Sequence, residues 1–130
     1  MDVEVELSRI IIQETSDQQF IFLREKNGER SFPIVIGTTE ALAIDRRLKG
    51  VQVPRPLTHD LIFNVVTEMG GNLERIVIND LHDHTFYALL VIRVNDKLVK
   101  VDARPSDAIA LGIVNQTPIF CAEHVLDEAS

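Results

Sequence analysis

The chain repeats its own pattern of apolar and polar residues after 67 positions, and this repeat restricts the possible folds more than any other feature. The shift needs no gap, and the matched pairs include Ile11 with Ile78, Phe20 with Tyr87, Leu23 with Leu90, Ile34 with Val101 and Glu40 with Asp107. Chance matching between two strand-rich halves is the alternative. The coincident Glu-Ala and Asp-Ala helix starts favour a duplication, in which two copies of one unit share a core.

Each copy is predicted to form three strands followed by one or two helices. In the first copy the strands cover residues 3–12, 20–24 and 30–36; Thr38 or Thr39 caps a helix to about Lys49, and Thr58 caps a second helix over 59–69. In the second copy the strands cover 73–81, 85–94 and 98–103, with a helix from about Ser106. The sequence predicts an α+β class: one two-layer α/β domain over residues 1–130, built from duplicated βββα(α) units (about 3–50 and 70–117) with a mixed sheet.

The predicted core follows from the periodicity of the strands and helices. The third strands should turn one face inward, formed by Phe32, Ile34 and Ile36 in the first copy and by Val99, Val101 and Ala103 in the second. The second helix has an apolar stripe of Leu61, Ile62, Val65, Val66 and Met69. The outward face of the third strand differs between copies, with Pro33, Val35 and Gly37 replaced by Lys100, Asp102 and Arg104. The second copy is therefore expected to carry more of the functional charge.

Composition restricts the environment and the partners. A net charge of −7 is unusual for a protein that neutralises polynucleotide phosphates. The single Cys121, the acidic N-terminus and the lack of a long apolar run predict a soluble cytoplasmic protein with no membrane contact. Residues 107–115 are apolar nearly all round, so we expect a partner subunit to cover part of this helix or an adjacent strand face, giving a homo-oligomer, a dimer or larger.

Three short polar segments carry the candidate chemistry. Asp102 and Asp107 lie near a predicted helix start, where they would hold a divalent cation or form an acid–base pair, with Arg104 beside a phosphate. His59 lies in a first helical turn next to Asp60 and would be a general base or a ligand. The third segment, His82-Asp83-His84, has two histidines with an intervening aspartate that would bind a metal. Each has a structural alternative in helix caps, dipole-complementing acids or a polar turn.

Taken in order, these segments resemble the bifunctional nuclease family, whose members are reported to degrade DNA and RNA. The matching pieces span essentially the whole chain and are Gly37 with Glu40-Ala41-Leu42-Ala43-Ile44, Arg55-Pro56-Leu57-Thr58-His59-Asp60-Leu61, Asp83-His84-Thr85-Phe86-Tyr87-Ala88, and Val101-Asp102-Ala103-Arg104-Pro105-Ser106-Asp107-Ala108-Ile109-Ala110-Leu111. The resemblance implies a two-layer α/β fold with an internal duplication and assembly into dimers or larger oligomers.

The leading hypothesis is a nuclease that hydrolyses phosphodiester bonds of DNA and RNA with low sequence specificity. Carboxylates of Glu40, Asp102 and Asp107 are expected to hold Mg²⁺ or Mn²⁺, and Arg104 to stabilise the transition state. His59 is the expected proton-transfer group, oriented by Asp60 or Asp83. The expected substrate-binding residues are Arg55, Thr58 and Ser106.

One concave region, where helix N-termini meet, is expected to be lined by Glu40, His59, Asp60, Asp102, Arg104 and Asp107. The alternative hypothesis is a non-enzymatic oligomeric adaptor or small-ligand-binding module, which the net acidity favours.

Overall fold

A computed structural model describes residues 1–130 and contains one seven-stranded mixed sheet with four α-helices. The elements in chain order are β1 (Asp2–Ile11), β2 (Gln18–Glu25), β3 (Ser31–Gly37), α1 (Thr38–Leu48), α2 (Thr58–Glu68), β4 (Gly71–His82), β5 (Thr85–Val94), β6 (Lys97–Ala103), α3 (Pro105–Gly112), β7 (Ile119–Ala122) and α4 (Glu123–Ala129). A single 3₁₀ turn over Ile113–Asn115 extends α3. The predicted α+β class is confirmed.

The strands are ordered β3-β2-β1-β7-β4-β5-β6, so each copy forms an antiparallel meander and β7 joins the two. β7 pairs antiparallel with β1, where Val3 is opposite Cys121, and parallel with β4, where Ile78 is opposite Cys121. Burial raises the pKa of the Cys121 thiol to about 12, so this cysteine packs as an unreactive core residue.

The offset of 67 residues is visible in the element boundaries. Gln18 and Thr85 begin the second strands of the two meanders, and Thr38 and Pro105 begin the helices that follow the third strands. The sequence analysis did not predict β7 and α4, which lie beyond the second copy. β7 has four residues, and so short an apolar segment carries no periodicity by which to recognise it.

The two third strands differ in burial, and the predicted core face of the second copy is wrong for two of its three residues, since only Ala103 packs against the core. Phe32, Ile34 and Ile36 are buried in the first copy, as expected. Their counterparts Val99 and Val101 are exposed by 41% and 40%. β3 is covered by α1 and α4, whereas the main contacts of β6 are with β5 alone, so Val99 and Val101 remain exposed.

The helices also pack differently from the prediction. α3 lies at the centre of the molecule: it contacts α1 and α2, and Ala108, Ile109, Ala110 and Leu111 are all buried within the single chain. Residues 108–111 therefore need no partner to cover them, because α1 and α2 already do so. The other form of that expectation, a partner on an adjacent apolar strand face, stays a prediction.

Helix α2 turns a different face inward from the predicted one. The predicted stripe is wrong for most of its members, since Leu61, Ile62, Val65 and Met69 are exposed. Phe63 and Val66 pack against the core instead, and His59 lies on this same inward face, four and seven residues earlier.

None of the helices has the length and apolar character that a membrane-spanning helix needs.

The sheet curves so that its two ends approach each other. Phe32 on the edge strand β3 stacks on Phe86 near the start of β5, with ring centroids 5.5 Å apart and an interplanar angle of 18°. This curvature brings the β3 edge close to the start of α3, where the charged segment of the second copy lies.

Candidate functional site

Four of the predicted site residues form a continuous chain of polar contacts. His59 Nε2 lies 3.0 Å from Asp107 Oδ1. The other oxygen of that carboxylate accepts a hydrogen bond of 2.8 Å from Arg104 Nε, and Arg104 Nη2 lies 3.6 Å from Glu40 Oε2. The chain joins the first turns of α1, α2 and α3, elements that are far apart in sequence.

Local sequence explains why these side chains meet. Pro105 starts α3 at a position where the missing backbone N–H costs nothing, and Arg104 precedes it in extended conformation. Asp107 then lies in the first turn, where a carboxylate is favoured by the helix dipole. His59 occupies the corresponding turn of α2, and the packing of the inward face of that helix leaves its side chain only 14% exposed.

Glu40 and Asp107 are equivalent positions of the two copies, and one guanidinium lies between them. The residue that corresponds to Arg104 in the first copy is Gly37, which precedes α1. A Cβ atom at position 37 would collide with the Glu40 carboxylate. Gly37 therefore leaves room for Glu40 to fold back toward Arg104. The first copy thus supplies a second carboxylate to this site but no second arginine.

The contacts set the protonation states of this chain. Burial alone would raise the pKa of Asp107, but hydrogen bonds from Arg104 and His59 outweigh it and hold that pKa below its ordinary value. The hydrogen bond to Asp107 raises the pKa of Arg104. The Asp107 carboxylate is thus ionised at neutral pH and acts as an acceptor toward both neighbours.

His59 faces a cleft of about 500 Å³ between α1, the 51–57 connector and α2, called here the α1–α2 cleft. Arg46 and Arg47 also line it, and they supply positive charge in an otherwise acidic chain. These two residues were not among the predicted site residues. The sequence feature that indicates them is a cluster of three arginines, Arg46, Arg47 and Arg55, within ten positions of a chain whose net charge is −7.

Arg104 and Ser106 face a second concavity of about 530 Å³, lined by residues 33–37 of β3, residues 84–86 and residues 104–106. We call it the β3–α3 groove. Asp107 bonds to His59 of the cleft and Arg104 of the groove, so the polar chain connects the two concavities. The predicted residues are divided between these neighbouring hollows rather than gathered in a single one.

The remaining residues of the predicted His59 segment have local roles or exposed positions. Asp60 Oδ2 accepts the Leu57 N–H at 3.0 Å and its Oδ1 contacts Arg47, so Asp60 caps α2 and ties it to α1. Thr58 is the first helical residue, not the cap, and lines the α1–α2 cleft. Arg55 is exposed in the connector and borders a shallow depression that Arg47 and Asp60 share.

Asp102 and Asp83 lie outside the polar chain, with no hydrogen bond or ion pair to its four members. Asp102 is exposed on the edge strand β6. Asp83 lies in the β4–β5 turn with a φ of 50°, and its carboxylate is 3.2 Å from His82. The third segment therefore forms a polar turn, one of the alternatives that the sequence left open.

The expected ligands of a divalent cation are the carboxylates of Glu40, Asp102 and Asp107. Glu40 and Asp107 both face the Arg104 guanidinium, which lies between them and offsets one of their two negative charges. Asp102 does not join them, and no group of three or more His, Cys, Asp or Glu side chains stands in a metal-holding arrangement. In this arrangement Glu40, Asp102 and Asp107 do not fit Mg²⁺ or Mn²⁺ as a joint ligand set.

Comparison with known proteins defines the class. A family model described as the bifunctional nuclease domain matches residues 21–130. The chain therefore belongs to the bifunctional nuclease domain family, as its motifs indicated.

Individual relatives come from bacteria and plants. An uncharacterized protein of Mycobacterium tuberculosis is 43% identical over 126 residues, which cover 97% of this chain and 75% of the relative. Bifunctional nuclease 2 of rice (Oryza sativa subsp. japonica) is 27% identical over 112 residues, which cover 83% of this chain and 34% of the plant protein. Bifunctional nuclease 2 of Arabidopsis thaliana is 29% identical over 90 residues, covering 67% and 27%.

Proposed function

We propose that this chain is a nuclease that hydrolyses phosphodiester bonds of DNA and RNA. The observation that carries the proposal is the 3.0 Å contact between His59 Nε2 and Asp107 Oδ1, beside Arg104 and at the edge of a cleft. Membership of the bifunctional nuclease domain family and the similarity to plant proteins of that name support it.

The geometry suggests a division of labour. When the Nε2–H of His59 donates a hydrogen bond to Asp107, the Nδ1 lone pair is free to take a proton from water. The water oxygen then bonds to phosphorus as the bond to the leaving oxygen breaks. The leaving oxygen takes a proton from solvent, and the imidazolium releases its proton to solvent. Asp107 stabilises the imidazolium in between.

Arg104 is the candidate for transition-state charge. Its side chain is 66% exposed although it bonds to Asp107, so part of the guanidinium stays available to a phosphate. Arg46 offsets the overall acidity where substrate would approach the α1–α2 cleft, since the charge of Arg47 is paired with Asp60. The lone buried Cys121 is in keeping with a reducing compartment, and we place the activity in the cytoplasm.

Association of two or more copies is a second part of the proposal. The outer face of α2 carries the exposed side chains of Leu61, Ile62, Val65 and Met69. An apolar helix face of this kind is typical of an interface between subunits. It is also the observation that favours the adaptor hypothesis, which requires an interface but no catalytic histidine.

The test is hydrolysis of plasmid DNA and of RNA by the purified chain and by His59→Gln. Loss of the general base should lower the rate by about 10²–10⁴-fold. His124→Gln is the matched control, because His124 also lies beside a carboxylate, with Nε2 3.5 Å from Asp80 Oδ1, but on an exposed surface. The nuclease proposal fails if His59→Gln and His124→Gln degrade polynucleotide as fast as the unmodified chain.

A further inference from the structure

The Ser106 side chain makes no hydrogen bond within the chain and opens onto the β3–α3 groove. Ser106 is 5% exposed and lines the groove. The side-chain hydrogen bonds at this end of α3 are made by Arg104 and Asp107, and the Ser106 hydroxyl takes no part in them. The hydroxyl of a largely buried residue that opens only onto a groove is free to pair with a ligand there.

Backbone donors surround this hydroxyl. The first hydrogen bond of α3 runs from the Ala108 N–H to the Arg104 carbonyl at 3.0 Å. The N–H groups of Ser106 and Asp107 precede it and have no acceptor within the helix. Together with the positive end of the helix dipole and the adjacent Arg104, they suit an anion with several oxygen atoms.

The walls of the groove suit nucleobases. β3 is an edge strand, so one row of its backbone N–H and C=O groups is free of sheet partners. Val35 on this strand is 53% exposed, and across the groove the partly buried Phe86 is supported by its stack on Phe32. Aromatic faces and open backbone groups are what single-stranded nucleic acids use for stacking and hydrogen bonding.

We propose that the β3–α3 groove binds single-stranded polynucleotide, with one phosphate against the Ser106 hydroxyl and the first turn of α3. This inference rests on the proposed nuclease function and names the form of substrate. The groove volume of about 530 Å³ is in the range of pockets for small ligands. A duplex keeps its bases paired and stacked inside, so it has no free base to place against Phe86 and does not reach the recessed Ser106.

The first experiment measures binding apart from cleavage. The His59→Gln chain is titrated with a short fluorescent oligothymidylate and with a duplex of equal length, and anisotropy gives the dissociation constants. Adding Ser106→Ala should weaken single-strand binding about tenfold, as expected for one hydrogen bond to a charged group. Val35→Trp, which fills the groove from an exposed position, should weaken it at least as much.

Matched controls are Ser8→Ala, an exposed strand serine, and Val99→Trp, an exposed valine on the opposite edge strand. Both should bind like the His59→Gln parent. Thermal unfolding checks that the groove variants are folded; alanine favours helix over serine, so Ser106→Ala should keep α3 intact.

Three results would overturn the inference: unchanged binding in Ser106→Ala and Val35→Trp, equal losses in the controls, or tighter binding of the duplex. The nuclease proposal is tested separately by cleavage. If cleavage needs His59 but does not change in the Ser106 and Val35 variants, the groove inference is wrong and the nuclease proposal stands. If binding depends on Ser106 but the unmodified chain cleaves no polynucleotide, the groove inference stands and the nuclease proposal is wrong.

Discussion

His59 Nε2 and Asp107 Oδ1, 3.0 Å apart, belong to different copies of the repeated unit. The histidine begins α2 in the first copy, whereas the aspartate begins α3 in the second. Neither copy contains the pair by itself, because the equivalent of Asp107 in the first copy is Glu40, which faces Arg104, and the equivalent of His59 in the second is Leu126. The pair is therefore composite, with one member from each half of the chain.

Asp107→Asn should lower the hydrolysis rate by about a hundredfold or more, because an amide cannot stabilise the imidazolium as a carboxylate does. The change should also alter acid stability. The pKa of Asp107 is depressed in the folded chain, so its contribution to the free energy of unfolding is complete above its ordinary value of 3.8 and is lost as pH falls through the lower folded value. Urea unfolding should therefore show a difference between the two chains at pH 7 that shrinks in strong acid. A constant difference at all pH values would contradict this account.

Gly37→Ala should disturb the site without direct contact with substrate. The added methyl group collides with the Glu40 carboxylate and displaces it from Arg104. A misplaced guanidinium is expected to cost up to about 10²-fold in rate. Gly28→Ala is the matched control, because a Cβ there also meets a glutamate carboxylate, that of Glu25, in the β2–β3 turn. Steady-state hydrolysis should be slower for Gly37→Ala than for Gly28→Ala. Equal rates would contradict a role of Gly37 in placing Glu40 against Arg104.

The requirement for Mg²⁺ or Mn²⁺ stays a prediction, and Arg104 provides its test. If the Glu40 and Asp107 carboxylates can bind a cation at all, the guanidinium must first leave. Arg104→Gln should therefore bind Mn²⁺ more tightly than the unmodified chain in calorimetric titration. Arg47→Gln, which disturbs the Asp60 ion pair instead, serves as the control. Tighter Mn²⁺ binding by the unmodified chain would show that these carboxylates do not compete with Arg104.

The outer face of α2 should mediate association. Leu61→Lys places a charge on this face and should shift sedimentation velocity profiles from oligomer to monomer. Leu48→Lys changes a similarly exposed leucine at the end of α1 and should leave assembly intact, the exposures being 56% and 53%. Both changes lie on the surface of the single chain, so each should alter its folding free energy by no more than about 0.5 kcal/mol. A Leu61→Lys chain that still sediments as the oligomer would contradict the assignment.

Arg30 should govern part of the acid stability of the C-terminal helix. Its guanidinium lies 2.9 Å from Glu25 and 3.0 Å from Glu123, joining the β2–β3 hairpin to α4. The hydrogen bond from Arg30 lowers the pKa of Glu25 from 4.5 to about 2. The resulting stability is complete above pH 4.5 and is lost toward pH 2.

Arg30→Met should therefore be less stable at neutral pH and lose less stability over that interval in acid titration followed by circular dichroism. Lys26→Met, which removes the exposed pair with Glu4, is the control and should titrate like the unmodified chain. An Arg30→Met chain with an unchanged acid transition would be the contrary result.

Much of the fold followed from sequence because periodicity and duplication act over many residues. The matched strands, the equivalent helix starts at Glu40 and Asp107 and the mixed sheet were all predictable in this way. The inward face of α2 was not, since its apolar side chains outnumber those that the core accommodates. Sequence alone does not tell whether Leu61 or Phe63 meets the sheet.

The site was predictable in its members but not in its connections. The motifs singled out Glu40, His59, Arg104 and Asp107, and the structure joins these four. They equally singled out Asp83 and Asp102, which lie apart. The difference depends on the curvature of the sheet and on α3 packing between α1 and α2, which are tertiary properties that no local pattern encodes.

The position of β7 also has a consequence for the order in which the molecule is made. A ribosome releases the first meander long before residues 119–122, yet β1 finds its inner neighbour only in those residues. Until then β1 presents an open edge, which is the kind of surface that invites aggregation of nascent chains. The last strand to be synthesised is thus the one that closes the middle of the sheet.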